Sequence, residues 1–261
     1  MKVVLFCGGL GTRLREHSDT IPKPLVSIGY RPIIWHLMKY YAHFGHKEFI
    51  LCLGYRGDLI KEFFLNYHEC MSNDFVMTNG GKDIQLLSSD IEDWKITFVE
   101  TGLHANIGQR LVAVRDHLDG DEVFLANYSD GLSDLPFEDY LNTCLEKDAI
   151  ASFVGIQSMQ SFHAVHTDKE GMAIQFGQVS ESDFWINGGY FVLKQEIFDH
   201  IKEGEDLVEN PFRRLMGERQ LYCHRYNGFW QCMDTFKDKI DFDRQYARGH
   251  SPWQVWNSIK P

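Results

Sequence analysis

Lys2-Val3-Val4-Leu5-Phe6-Cys7-Gly8-Gly9-Leu10-Gly11-Thr12-Arg13-Leu14 opens the chain, and Pro22-Lys23-Pro24 follows closely. Residues 2 to 7 are apolar and β-branched enough to form a strand buried on both faces. Three glycines then fall within four positions, at 8, 9 and 11. Without Cβ atoms they let backbone N–H groups approach a ligand closely and take positive φ where a turn needs it. Thr12 and Arg13 open a predicted helix whose free N–H groups favour an anion. The stretch therefore predicts a phosphate cradle with a cation beside it. Its spacing fits neither the Gly-x-Gly-x-x-Gly dinucleotide fingerprint nor the Gly-Lys-Ser/Thr ending of a P-loop.

Outward from the cradle, helical and strand patterns alternate. Ile33, Ile34, Leu37, Met38, Tyr41 and Phe44 recur at helical spacing, predicting a helix over Pro32 to Phe44. Glu48 to Leu53 is a second buried strand ending at Gly54-Tyr55-Arg56-Gly57, and Asp58 is placed to cap a helix from Leu59 to Tyr67. This order predicts parallel strands joined by right-handed crossovers, with binding loops at the strands' carboxyl ends. Residues 70 to 95 depart from it, with Asn79-Gly80-Gly81-Lys82 as the turn of a hairpin or irregular excursion. Further strands are expected over Trp94–Glu100, Glu122–Ala126, Ile150–Gly155 and Leu221–Tyr226. Asn187-Gly188-Gly189 reads as a turn into another, Tyr190 to Leu193. Helices are expected over Gln109–His117, Pro136–Glu146 and Asn210–Glu218. The whole predicts one α/β domain over residues 1 to 261, Rossmann-like, with a mixed and mainly parallel central sheet.

Composition narrows the functional classes. A chain of 261 residues with 44% hydrophobic and 14% aromatic content can build a substantial core, which excludes a disordered protein. No apolar run approaches the ~20 residues of a membrane span. The six cysteines are scattered without a CxxC, which points to a reducing cytoplasm and to thiols serving as small core residues. A net charge of −11 argues against nucleic acid and anionic membrane surfaces as partners. The 12 histidines include no HExxH and no zinc-site pairing with cysteine.

Two aspartates carry candidate chemistry. Asp130 follows a hydrophobic strand, where open α/β sheets present functional groups, although Ser-Asp-Gly is also ordinary turn chemistry. Asp234 follows the glycine-aromatic segment Gly228-Phe229-Trp230 and stands either in a returning loop or as the cap of the next helix. Converging near a phosphate cradle, the pair could hold Mg²⁺, which prefers carboxylate and phosphate oxygens.

The combined motifs resemble the sugar nucleotidyltransferases. The Gly-Gly-x-Gly-Thr-Arg-Leu start, the Pro-Lys-Pro lysine, Gly54-Tyr55-Arg56-Gly57, Val99-Glu100-Thr101-Gly102 and Gly108-Gln109-Arg110-Leu111 occur in the family's order. So do Asp130-Gly131, Asn187-Gly188-Gly189-Tyr190 and Trp230-Gln231-Cys232-Met233-Asp234-Thr235, and the likeness is to the CTP-using branch. The resemblance implies that Gly8, Gly9, Gly11 and Thr12 contact CTP phosphates, while Arg13 and Lys23 stabilise charge as pyrophosphate leaves. It implies that Gly54, Thr101 and Gly102 shape the base pocket and that Asn187, Gly188 and Gly189 line the acceptor side. Asp130 and Asp234 would hold Mg²⁺. The reaction implied is transfer of CMP from CTP to a sugar 1-phosphate, giving a CDP-sugar, by a homo-oligomer.

The acceptor side departs from the family. A Glu-Lys-Pro lysine that binds the sugar phosphate is replaced by Gly177-Gln178-Val179-Ser180-Glu181-Ser182, with no lysine or arginine between Lys169 and Lys194. Arg110 and Arg56 are then the candidate substitutes, Arg110 being assigned to the acceptor. A weaker hold on the acceptor phosphate is expected. The alternatives are transfer to another phosphorylated or phosphonate small molecule, and a silent nucleotide-sugar-binding protein.

Overall fold

Burial alternates between two cores along the first strand, and that fixes the centre of the molecule. The computed structural model describes residues 1–9, 21–157, 163–178 and 184–257. In strand β1 (Lys2–Phe6), Val3 and Leu5 pack into one apolar cluster, while Val4 and Phe6 pack into another on the opposite face. A strand apolar on both faces belongs inside a parallel sheet covered on both sides.

Six more strands complete that sheet: β2 (Glu48–Leu53), β3 (Lys95–Glu100), β4 (Val123–Tyr128), β5 (Ala151–Gln157), β6 (Trp185–Lys194) and β7 (Leu221–Tyr226). Their order is β3-β2-β1-β4-β6-β5-β7. Every neighbouring pair is parallel except those of β6, which runs antiparallel to both β4 and β5. This is the expected mixed, mainly parallel α/β sheet. Because β6 is reversed, its amino end lies at the same edge as the carboxyl ends of the parallel strands. Helix α1 (Ile33–His43) covers one face with Ile33, Ile34, Leu37 and Met38, whereas Leu111 of α3 (Ile107–Ala113) and Phe212 of α5 (Asn210–Gly217) cover the other.

Local structure departs from expectation at two places that matter for the site. Helix α2 (Gly57–Leu65) begins before Asp58, and its N-cap is Arg56 at φ +49° without a side-chain cap. Asp58 therefore lies in the first turn, where a carboxylate still complements the helix dipole. Asn187-Gly188-Gly189 is not a turn before a strand but a bulge within β6: Phe191 opposes Phe153, while Asn187 opposes Gly155. Gly189 adopts φ +79°, and a Cβ there would stand 2.3 Å from Cδ2 of Tyr128. The extra residues bend the strand: Tyr190 to Lys194 pair with β4, while Trp185 to Asn187 beyond the bulge pair with β5. The stretch from 70 to 95 contains a hairpin, Phe75–Thr78 with Asp83–Leu86 around Asn79-Gly80-Gly81. A second hairpin pairs His163–Thr167 with Ala173–Gln178.

The carboxyl-terminal segment is tied to α1 through a histidine. His36 is buried; its Nε2 donates to the Ile28 carbonyl at 3.0 Å, and Trp253 Nε1 donates to its Nδ1 at 3.4 Å. Both ring nitrogens are thus satisfied only in the neutral tautomer. Burial lowers the pKa to about 4 from 6.5. A histidine with a depressed folded pKa stabilises fully above 6.5, and its contribution fades as pH falls toward 4. The shift corresponds to roughly 3 kcal/mol. His46, also depressed to about 4 by burial and then by the N-terminal ammonium, adds a slope of the same sign. We expect the melting temperature to fall between pH 6.5 and 4, and the His36→Phe variant to lose about half of that pH slope. An unchanged slope in the variant would show that His36 titrates normally.

Candidate active site

A short ribbon brings the two aspartates together. Gly131–Ser133 pairs antiparallel with Trp230–Cys232, and Met233 N–H donates to the Asp130 carbonyl at 2.9 Å. Ser129 Oγ donates to the Phe6 carbonyl at 2.9 Å, locking the end of β4 to the end of β1. Tyr190, buried in the core, donates its hydroxyl to the Gly131 carbonyl at 3.3 Å. Asp234 does not cap the following helix. Thr235 does, in a capping box with Asp238 at the start of α6 (Phe236–Ala247). The Asp234 carboxylate is therefore left to face Asp130.

Lys23 lies between them. Its Nζ is 2.5 Å from Asp130 Oδ2 and 2.5 Å from Asp234 Oδ1. Pro22 and buried Pro24 flank it in a single 3-10 turn, Lys23–Leu25, so its backbone is set by the prolines. The lysine side chain is 15% exposed, and burial works against its charge, but Asp130 and Asp234 outweigh that and hold its pKa above the usual value. Cys232 Sγ donates to Asp234 Oδ2 at 3.4 Å. Burial, then the two aspartates, push this thiol up to about 12, so it stays a protonated donor. Sequence reading passed over Cys232, whose only signal was its place two residues before Asp234.

The donor set fits a divalent cation of the Mg²⁺ type. Two carboxylates converge on one point, and a positive charge, the ammonium, is already stable there. Among the described residues no cluster of three or more His, Cys, Asp or Glu could hold a metal. Two carboxylates completed by ligand phosphates and water is the arrangement Mg²⁺ usually adopts.

The loops after β1, β2 and β3 meet around Arg110. This side chain is 3% exposed. Its Nη1 donates to Leu53 O at 3.1 Å and Thr101 Oγ1 at 2.7 Å, and its Nη2 donates to Gly8 O at 3.0 Å and Leu103 O at 3.5 Å. A Cβ on Gly8 would fall 2.0 Å from Nη1, and one on Gly54 would fall 2.8 Å from it. These two glycines therefore admit the guanidinium from below as well as opening the loop above. Among the described residues, nothing lies within 4 Å of where a Gly9 Cβ would be. Arg110, expected to serve the acceptor, holds its side chain beneath the loops of Gly8, Gly54, Thr101 and Gly102. Arg56 stands by the same loops, 3.5 Å from Asp58.

On the other side of Asp130, the bulge of β6 is held by two residues that sequence reading did not assign. Trp230 Nε1 donates to Gly188 O at 2.8 Å, and Asn187 Nδ2 donates to Tyr128 Oη at 3.3 Å. Gly189 N–H donates to Asn187 Oδ1 at 2.9 Å. Trp230 also lies 3.7 Å from where a Gly131 Cβ would be, so the bulge and the Asp130 loop share one wall. Gly11, Thr12 and Arg13 lie outside the described residues, as do Val179, Ser180, Glu181 and Ser182.

The Arg110 arrangement has a measurable consequence. In Arg110→Lys the ammonium cannot reach all four acceptors, and each hydrogen bond to a charged donor that is lost is worth about 1.5–3 kcal/mol. We expect urea unfolding to show a loss of roughly 2–5 kcal/mol. A loss below ~0.5 kcal/mol would mean that the loops do not depend on this clamp.

Residues 2–248 match the Nucleotidyl transferase family. The probable glucose-1-phosphate cytidylyltransferase of Bacillus subtilis is 40% identical to this chain over 258 residues, covering 98% of this chain and all of that protein. The glucose-1-phosphate cytidylyltransferase of Salmonella typhimurium is 35% identical over the same length, with the same coverage. Among solved structures, a UDP-glucose pyrophosphorylase complexed with UDP-glucose superimposes with a TM-score of 0.69 at 14% identity, covering 95% of this chain and 98% of that one, a likeness of fold. Matched to that family over residues 2–248 and 40% identical over 98% of its length to a relative named as a probable cytidylyltransferase, the chain belongs to the nucleotidyl transferase family.

Proposed function

We propose that this protein is a glucose-1-phosphate cytidylyltransferase, transferring CMP from CTP to glucose 1-phosphate with release of pyrophosphate and forming CDP-glucose. The observation that carries the reading is the convergence of Lys23, Asp130 and Asp234 beside the glycine loop of a chain 40% identical to a cytidylyltransferase along its whole length. The glycine loop binds the triphosphate through backbone N–H groups. Gly54, Thr101 and Gly102 form the base side. The β6 bulge, with Asn187, Gly188 and Gly189, orients the acceptor so that its phosphate oxygen meets the α-phosphorus in line. Asp130 and Asp234 together with the phosphates would hold Mg²⁺, which neutralises charge on the transferring group. Arg13 and Lys23 stabilise the departing pyrophosphate. No covalent enzyme intermediate is needed, since positioning and electrostatics supply most of the acceleration.

The setting follows from the same residues. All six cysteines are free thiols, three of them buried, which suits a reducing cytoplasm. No described helix is long and apolar enough to cross a membrane. Both hairpins expose apolar side chains, Met77 and Ile84 on one, Ile174 and Phe176 on the other, which supports a homo-oligomer.

The decisive assay measures pyrophosphate release from CTP, UTP and dTTP against a panel of phosphorylated acceptors. CTP with glucose 1-phosphate should give CDP-glucose, and a site that pairs with the base edge should disfavour the other nucleotides strongly. Equal kcat/KM with all three would remove the base assignment, and turnover only with another phosphate or phosphonate would move the acceptor. The weaker acceptor hold expected from the missing lysine predicts a KM for glucose 1-phosphate above ~1 mM, the upper end of usual values. A sub-millimolar value would show that the lysine is not missed.

Asp130→Asn and Asp234→Asn should each lower kcat by about two orders of magnitude or more, as loss of a transition-state charge partner does. Circular dichroism should find both variants folded. Turnover within a few-fold of the parent would take that aspartate out of the reacting centre.

A further inference from the structure

The contact between Lys23 and the two aspartates has a meaning beyond charge balance. Its Nζ stands 2.5 Å from one oxygen of each carboxylate, in the gap that a cation bound by both would fill. Mg²⁺ binds oxygens at about 2.0–2.1 Å, so the ammonium and the metal would claim nearly the same point. Two positive groups that close repel too strongly to share it. One of them must leave.

Only the lysine can move without disturbing the fold. Pro22 and Pro24 hold its backbone, so the change is confined to four methylenes and the ammonium. The destination must be negative, and the glycine loop beside it is built to receive phosphates. An ammonium on a flexible stem binds phosphate as a point charge, with no fixed approach direction. The protein by itself offers a metal two carboxylates, and no described cluster adds a third ligand. Phosphate oxygens would thus do two things at once, drawing Lys23 away and completing the coordination.

We infer that Lys23 is a placeholder for the divalent cation: in the nucleotide-free protein it occupies the Asp130–Asp234 site, and the site takes up metal only when a nucleoside triphosphate supplies the lysine with another partner. This rests on the assignment of the two aspartates as metal ligands in the proposed function. It adds that metal affinity is set by a residue that is not a ligand.

The test measures metal binding without turnover. Mn²⁺ is titrated into nucleotide-free protein, with the free-ion electron paramagnetic resonance signal as the readout. The parent should bind in the millimolar range. Lys23→Met and Lys23→Gln should each bind one Mn²⁺ at least about tenfold more tightly, and Mn²⁺ should raise their melting temperature more than the parent's. Lys23→Arg, which keeps a cation, should stay weak. Adding Asp130→Asn to Lys23→Met should abolish the gain, which places the ion at the pair. Micromolar binding by the parent without nucleotide overturns the inference, as does an unchanged affinity in Lys23→Met and Lys23→Gln. Should the parent fail to make a CDP-sugar, the proposed function falls while the metal titration still decides whether Lys23 guards the site.

Discussion

Two carboxylates cannot be brought to one point inside a protein unless something positive lies between them, and the arrangement around Asp130 and Asp234 follows from that constraint. At a separation of a few ångströms their repulsion would amount to several kcal/mol at an effective dielectric near 20. Lys23 removes it. The three residues come from distant parts of the chain, 107 residues apart for Lys23 and Asp130 and 211 for Lys23 and Asp234. A contact of such long range closes the fold as well as the site. It joins the loop after β1 to the ribbon formed by Gly131–Ser133 and Trp230–Cys232.

Arg110 meets a similar problem by a different route. Lys23 answers to carboxylates, whereas the partners of Arg110 are three carbonyls and a hydroxyl, all of them neutral. A planar fork of five donors suits scattered carbonyl dipoles, while a compact ammonium suits the gap between two charged oxygens. The difference explains why neither cation could exchange places with the other. It also explains why Gly8 and Gly54 must be glycine: the guanidinium fills the volume that their side chains would occupy.

Much of this was legible in the sequence wherever the signal was local. The apolar run of β1, the helical spacing over α1 and the strand Leu221–Tyr226 each announce themselves within a short window, and the sheet follows from their alternation. Asp130 was legible as a candidate because it follows a hydrophobic strand, and Asp234 because it follows the glycine-aromatic segment Gly228-Phe229-Trp230. What stayed hidden depended on pairing across the chain. Nothing near Arg110 announces that its side chain turns under the loops of β1 and β2, because its partners Leu53 and Gly8 lie 57 and 102 residues away. The bulge at Gly188-Gly189 looks like a turn because glycine pairs serve both purposes, and only the opposing register of β5 separates the two. Tyr128 gains its role from Asn187, distant in sequence, whereas Cys232 serves Asp234 only two residues on.

The overall charge of −11 and the buried Arg110 beneath the loops are compatible because they act at different ranges. Surface carboxylates are screened over a Debye length of about 8 Å in physiological salt, so their sum says little about a partly enclosed site. Arg110 is screened far less, being 3% exposed and surrounded by neutral partners. Among the described residues no carboxylate is paired with it, and burial lowers its pKa. An anion settling on the loops above it would recover part of the cost of holding that charge away from water. A net negative charge works against polyanionic partners at long range, while the buried arginine beneath Gly8 favours a small, strongly charged anion at short range. A buried cation placed inside a chain of net negative charge thus favours a small anion over a polyanion.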